Sequence, residues 1–220
     1  MKFLKNIILA VVIGFAATAA HAQFIIGLPE TNAALPNNSD NNFPTAKAIL
    51  SRESARQNSS AVPQTPAAAT RTYITGSKLA IPSTGLRVGT VFRWRFNMTK
   101  TAAGIATSTF DIAFGTAGTT SDTARVSFTK PAGTAAADEG WVEIECVIKA
   151  VNASTGVAVG QFTLIHNLAS TGHAQIPCVV VSTTSSNFNT VTPTYVGLCI
   201  TSGASDAITI NQVSATATNL

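Results

Sequence analysis

Between Gly140 and Val151 the chain reads GWVEIECVIKAV, and its residues alternate. Val142, Ile144, Cys146, Ile148 and Ala150 fall on one side, and Trp141, Glu143, Glu145, Val147 and Lys149 on the other. A period of two sustained over about ten residues predicts a β-strand with one face in a core and one in water. Strands of parallel sheets are buried on both faces and read as unbroken apolar runs, so the pattern points to an antiparallel sheet.

The same period recurs along most of the chain after residue 70. Val88–Lys100 places Phe92, Trp94, Phe96 and Met98 on one face and Arg93, Arg95 and Asn97 on the other. Phe110, Ile112 and Phe114 alternate with Asp111, and Val126 and Phe128 alternate with Arg125 and Ser127. Phe162, Leu164 and His166 share a face within Val157–Asn167. Further strands are expected at 71–76, 176–181, 195–201 and 207–215, with turns at Gly76-Ser77, Pro82–Gly85 and Pro131–Gly133. No helical period lies between these segments, which excludes βαβ units. Eight or nine such strands predict an all-β, two-sheet antiparallel sandwich, jelly-roll-like, over 70–220.

The first 69 residues differ. Residues 1–22, MKFLKNIILAVVIGFAATAAHA, combine a basic start, an apolar run and a small-x-small ending, which predicts a secretory signal cut after Ala22 or an apolar leader. Residues 23–69 hold Pro29, Pro36, Pro44, Pro63 and Pro66 and a cluster of asparagines, and no period can be traced. They read as an extended, flexible arm, with one short helix expected over 45–57 behind Thr45 as its cap.

Composition changes this picture little. Charged residues make up only 11% of the 220, and the formal charge is +4. Lys2 and Lys5 belong to the leader, which leaves 12 basic against 10 acidic side chains and no basic run. Nucleic acid is therefore not an expected partner. Cys146, Cys178 and Cys199 all fall in expected strands among apolar neighbours and read as small buried hydrophobes. One disulfide is the alternative for an exported chain.

Candidate chemistry concentrates on one face. If the strands carrying Arg93 and Arg95 and those carrying Glu143 and Glu145 are neighbours, the four charges form a cross-strand ladder. With Trp141 beside them, these residues are the candidate ligand platform, to be weighed against a merely solvated, salt-bridged face. Glu143-x-Glu145 also raises glycoside hydrolysis, but no second cluster of carboxylates and aromatics accompanies it. His166 and His173 flank residues 167–172, but no nucleophile elbow is present, and His166, which follows the inward positions Phe162 and Leu164, reads as a hydrogen-bonded edge-of-core histidine. The loop GTAGTTSDT, 115–123, has the glycines of a phosphate loop without its lysine. Asp122 with Asp111 or Asp206 is a Ca²⁺ guess with no ligand spacing behind it. No catalytic residue, cofactor or metal site is expected.

The stretches YITGSKLAIPSTGLRVGTVFRWRFNMTKTAAG, GTAGTTSDTARVSFTKPAGTAAADEGWVEIEC, FTLIHNLASTGHA and GASDAITINQVSATATNL carry a resemblance. Over residues 73–220 the chain resembles a family of small structural proteins of tailed bacteriophages and prophages. The resemblance implies a non-enzymatic virion component (a fibre, tail or head-decoration piece) attached through its arm. Its partners would be other virion proteins or itself, a homo-oligomer and, by analogy with fibres, a trimer. It implies location in the virion. Use of the signal implies a secreted or periplasmic protein, and with it the alternative of an exported carbohydrate-binding or adhesion module that meets a host surface glycan.

Overall fold

The strand Val91–Lys100 runs through the middle of the larger of two sheets, and its alternation explains its place. Phe92, Trp94, Phe96 and Met98 are wholly buried, whereas Arg95 is exposed and Arg93 and Asn97 half-exposed. The computed structural model describes residues 56–203 and 207–220. The leader with Ala22, the arm up to residue 55 and Asp206 lie outside the described residues, as does all of the expected helix 45–57 except Arg56 and Gln57.

Among the described residues twelve strands follow in order: β1 Gln57–Ser60, β2 Arg71–Tyr73, β3 Leu79–Ala80, β4 Val91–Lys100, β5 Ser108–Gly115, β6 Thr123–Lys130, β7 Asp138–Asn152, β8 Thr155–His166, β9 Cys178–Thr184, β10 Phe188–Asn189, β11 Tyr195–Thr201 and β12 Ile208–Thr218. A seven-stranded sheet has the order β1-β12-β4-β7-β8-β10, with β9 also on β8. A five-stranded sheet has the order β2-β11-β5-β6, with β3 also on β11. Every strand pair is antiparallel.

The chain winds up from both ends. β4 pairs with β12, β5 with β11, and β7 with β8, so early strands meet late ones. This nested, jelly-roll-like pairing makes the all-β antiparallel sandwich that the alternation predicts.

The core lies between the sheets and is rich in aromatics. Phe96 and Phe162 of the larger sheet flank Phe110 of the smaller at centroid distances of 5.8 and 5.2 Å, and Phe128 stacks on Phe162 at 6.1 Å. Each such ring removes on the order of 150–250 Å² from water, at about 25 cal/mol per Å². The indole of Trp94 donates to the carbonyl of Ser77 at 2.7 Å, which satisfies its N–H in the core.

Four details depart from the pattern. β1 lies within the stretch read as arm: Gln57–Ser60 pair with Thr216–Val213, and Gln64 exchanges backbone bonds with Ile210. Its residues, QNSS, are polar throughout, so pairing and not periodicity makes the strand. Ala150, expected inside, is exposed because the β7–β8 register shifts between Ile148 and Ala150. Cys178, expected buried, is exposed because it falls on the outer face of β9, opposite the exposed Ile165, while its neighbour Val179 takes the core face; Cys146 and Cys199 are buried, and all three are free thiols. Asp111, expected outside, is only 4% exposed, because Arg71 of β2 closes over it.

Candidate functional site

The outer face of the seven-stranded sheet gathers the charges that the sequence distributes over two strands. β4 and β7 are neighbours, in a register that sets Arg93 opposite Glu145, Arg95 opposite Glu143 and Asn97 opposite Trp141. Arg95 Nε donates to Glu143 Oε2 at 2.7 Å. Arg93 Nε donates to Glu145 Oε2 at 3.0 Å, its Nη2 holds the same carboxylate, and its Nε also lies 3.4 Å from Glu143 Oε1. The hydrogen bond to Glu145 holds the Arg93 guanidinium above its ordinary pKa. Both carboxylates of the Glu-x-Glu pair are thus engaged by arginine, in a solvated setting where each pair contributes about 0.2–1 kcal/mol.

The ladder continues sideways. Gln161 and Thr163 of β8 stand opposite Glu145 and Glu143, and Thr216 and Ser214 of β12 opposite Arg93 and Arg95. Asn97 Nδ2 donates to Glu139 at 2.6 Å, and Asn211 donates to Asn97 at 2.5 Å. Trp141 stands at the end of this polar field, 41% exposed, opposite Ile165, which is 54% exposed. A shallow groove of about 260 Å³ runs beside it, lined by Trp141, Arg95, Gln212, Ser214, Ser59 and Ser60. The sequence reading names Trp141, Arg93, Arg95, Glu143 and Glu145, and the structure brings all five onto one face. It missed the serines, because β1 gives no strand signal.

The histidines lie elsewhere, at a closed end of the sandwich. His166 Nδ1 is 2.7 Å from Asp138 Oδ2, with both side chains sealed from solvent, and its Nε2 lies 2.5 Å from the carbonyl of Ile176. The backbone N–H of His173 donates to Asp138 Oδ2 at 2.9 Å, and its ring Nε2 is 3.1 Å from the carbonyl of Met98. Burial pushes the His173 imidazole down to about 4, against the pull of its bond to Met98 and helped by Lys130. Burial also works against the charge of Asp138, but the N–H bonds from His173 and Glu139 and the nearness of His166 hold its carboxyl below the usual range. Lys130 Nζ donates to the carbonyls of Pro131 and His173. These groups tie loops together, and both side chains of the His166–Asp138 pair are closed to solvent.

The glycine loop at 115–123 serves itself. Asp122 accepts from the N–H groups of Ala117 and Gly118 at 3.1 and 2.7 Å, so the amides a phosphate would use are already filled. Asp111 is bound to Arg71 at 2.5 Å, which takes both Asp111 and Asp122 out of the Ca²⁺ guess; Asp206 lies outside the described residues. Among the described residues no group of three or more His, Cys, Asp or Glu side chains is placed to hold a metal.

The fold and this face define an antiparallel β-sandwich with a salt-bridged outer sheet and one exposed tryptophan. No protein-family model matches the chain, and no curated protein matches it in sequence. Among solved structures it is similar to arcelin-5, a lectin-like defense protein from Phaseolus vulgaris (8% identity over 70% of this chain and 81% of that one, TM-score 0.38). It is also similar to the CBM2 module of the evolved Dit of Lactobacillus casei BL23 phage J-1 (13%, 69% and 74%, TM-score 0.27). A third similarity is to a legume lectin-like domain from Entamoeba histolytica (9%, 78% and 93%, TM-score 0.21).

Proposed function

We propose that this chain is a non-enzymatic structural protein of the phage-virion type, a fibre, tail or head-decoration component that displays its sandwich and is attached through its N-terminal arm. The wording shared with that family over 73–220 supports the family. The observation that carries a display role is the outer face. Its Glu143 and Glu145 are held by Arg93 and Arg95, and its Glu139 accepts from Asn97. A rigid sheet nevertheless presents Trp141 and polar side chains to solvent. Mass spectrometry of purified particles and of periplasmic and culture fractions tests the reading. The protein is expected in particles, and recovery only from the soluble exported fraction, beginning at Gln23, would overturn it.

A second reading is an exported carbohydrate-binding or adhesion module. The groove favours it: Trp141 offers a ring for a sugar face beside Arg95, Gln212 and three serines, groups able to hydrogen-bond sugar hydroxyls. Micromolar binding on a glycan array, lost in Trp141→Ala, would select this reading.

A further inference from the structure

We propose that β9 is a self-docking edge, through which two copies of this chain pair their Cys178–Thr184 strands antiparallel about a two-fold axis and join their seven-stranded sheets. The proposal is independent of whether the domain sits on a particle or is exported.

Among the described residues β9 pairs with β8 alone, on one side. His166 N donates to the carbonyl of Pro177, and bonded pairs recur at every second residue of an antiparallel ladder. Val179, Val181 and Thr183 therefore bond to β8, opposite Leu164, Phe162 and Gly160. Cys178, Val180, Ser182 and Thr184 turn their N–H and C=O groups to the open edge, and their side chains are exposed as well.

The other edges are guarded in the ways natural sheets use. β1 is four residues long and covered: Asn58 bonds to Lys78, and a Cβ on Gly76 would come within 2.6 Å of Ser60 N. β6 carries Arg125 and Lys130 and pairs with β5 through a bulge. β2 and β3 have three and two residues. β9 is seven residues, CVVVSTT, with no charge, no proline and no bulge.

A second copy fits this edge. An uncharged strand meets no repulsion from its own image, and a two-fold axis lets each copy donate and accept equally. Val180 is 56% exposed, and Ile165, opposite Cys178, continues an apolar band inward to Trp141. Pairing through seven-residue strands belongs at the small end of specific interfaces, below roughly 1,200 Å² in total, so the dimer should dissociate on dilution.

The test is sedimentation of the purified full-length chain over a wide concentration range, with amide hydrogen exchange at both ends of it. The wild type is expected to pass from one-chain to two-chain mass, and the amides of Val180, Ser182 and Thr184 to gain protection as it does. Val180→Lys should halve the mass at high concentration, as should Ser182→Pro, which removes one free N–H. Both should keep the near-ultraviolet circular dichroism of the wild type. A one-chain mass at every concentration, a three-chain mass, or an assembled dimer whose β9 amides exchange freely would overturn the proposal, and the exchange result decides it even if a variant folds poorly.

Discussion

Arg95 Nε lies 2.7 Å from Glu143 Oε2, and the neighbouring Arg93 bridges Glu143 and Glu145, so four charges from β4 and β7 share one network on an open sheet face. Their side chains are 32–47% exposed, and water competes for every bond. A double-mutant cycle of Arg95→Ala and Glu143→Ala, measured by urea unfolding, should give a coupling of about 0.2–1 kcal/mol that shrinks in roughly 1 M salt. A coupling above about 2 kcal/mol would make the ladder a structural element and not an adaptable surface.

The approach of the two sheets depends on Gly160. A Cβ at this position of β8 would come within 2.6 Å of Phe128 Cζ and 2.7 Å of Val126 Cγ1 on β6. Gly160→Ala must push the smaller sheet outward or drive Phe128 off its stack with Phe162. We expect a loss of about 1–3 kcal/mol, read by chemical denaturation. A neutral or stabilising result would mean that the interior has slack between Gly160 and the Phe128 and Val126 side chains.

What was legible follows from which faces are buried. β4, β7 and β8 each put one face in the core and one in water, and there the period of two appears directly in the residues. Gln57–Ser60 is polar throughout and Phe188–Asn189 is too short to show a period; each is a strand because a longer one offers it hydrogen bonds. Ala150 defeats the pattern because the extra residue at the β7 bulge reverses the phase. Cys178 defeats it because the run Cys178–Val181 is apolar at every position, so nothing in the residues says which alternate set faces the core. The four charges of the candidate face were legible as a set, but which arginine meets which glutamate is a matter of register, which periodicity does not contain.

The closed end of the sandwich should make stability fall in mild acid. His173 is buried beside Asp138, Lys130 and His166, and its pKa is pushed from 6.5 down to about 4. Between those values the unfolded chain holds a proton that the folded chain does not, so stability rises with pH there. This contribution is complete above pH 6.5 and is lost as pH falls towards 4, with a ceiling of about 3 kcal/mol. Asp138, held below its ordinary 3.8, adds its own loss only in stronger acid. Unfolding free energies measured from pH 7 to 4 should slope downwards in the wild type and flatten in His173→Gln, whose amide can still donate to Met98. Equal slopes in the two proteins would remove His173 from the account.

The chain's two tryptophans report on opposite environments, and that makes the candidate face testable without knowing a ligand. Trp94 is fully buried, with its indole N–H bonded to Ser77; Trp141 is 41% exposed beside the groove. Iodide should quench only the red-shifted part of the emission, and Trp141→Phe should leave a blue spectrum that iodide does not reach. Trp141 lies on the outer face, away from the core, and phenylalanine keeps an aromatic ring there, so this substitution should change stability by no more than about 0.5 kcal/mol. A glycan that occupies the groove should then protect the quenchable fraction in the wild type and change nothing in the variant. Protection that persists without Trp141, or a glycan that binds and leaves quenching untouched, would move the binding surface off this face. The paired arginines and glutamates would then serve only to keep an outer sheet in water.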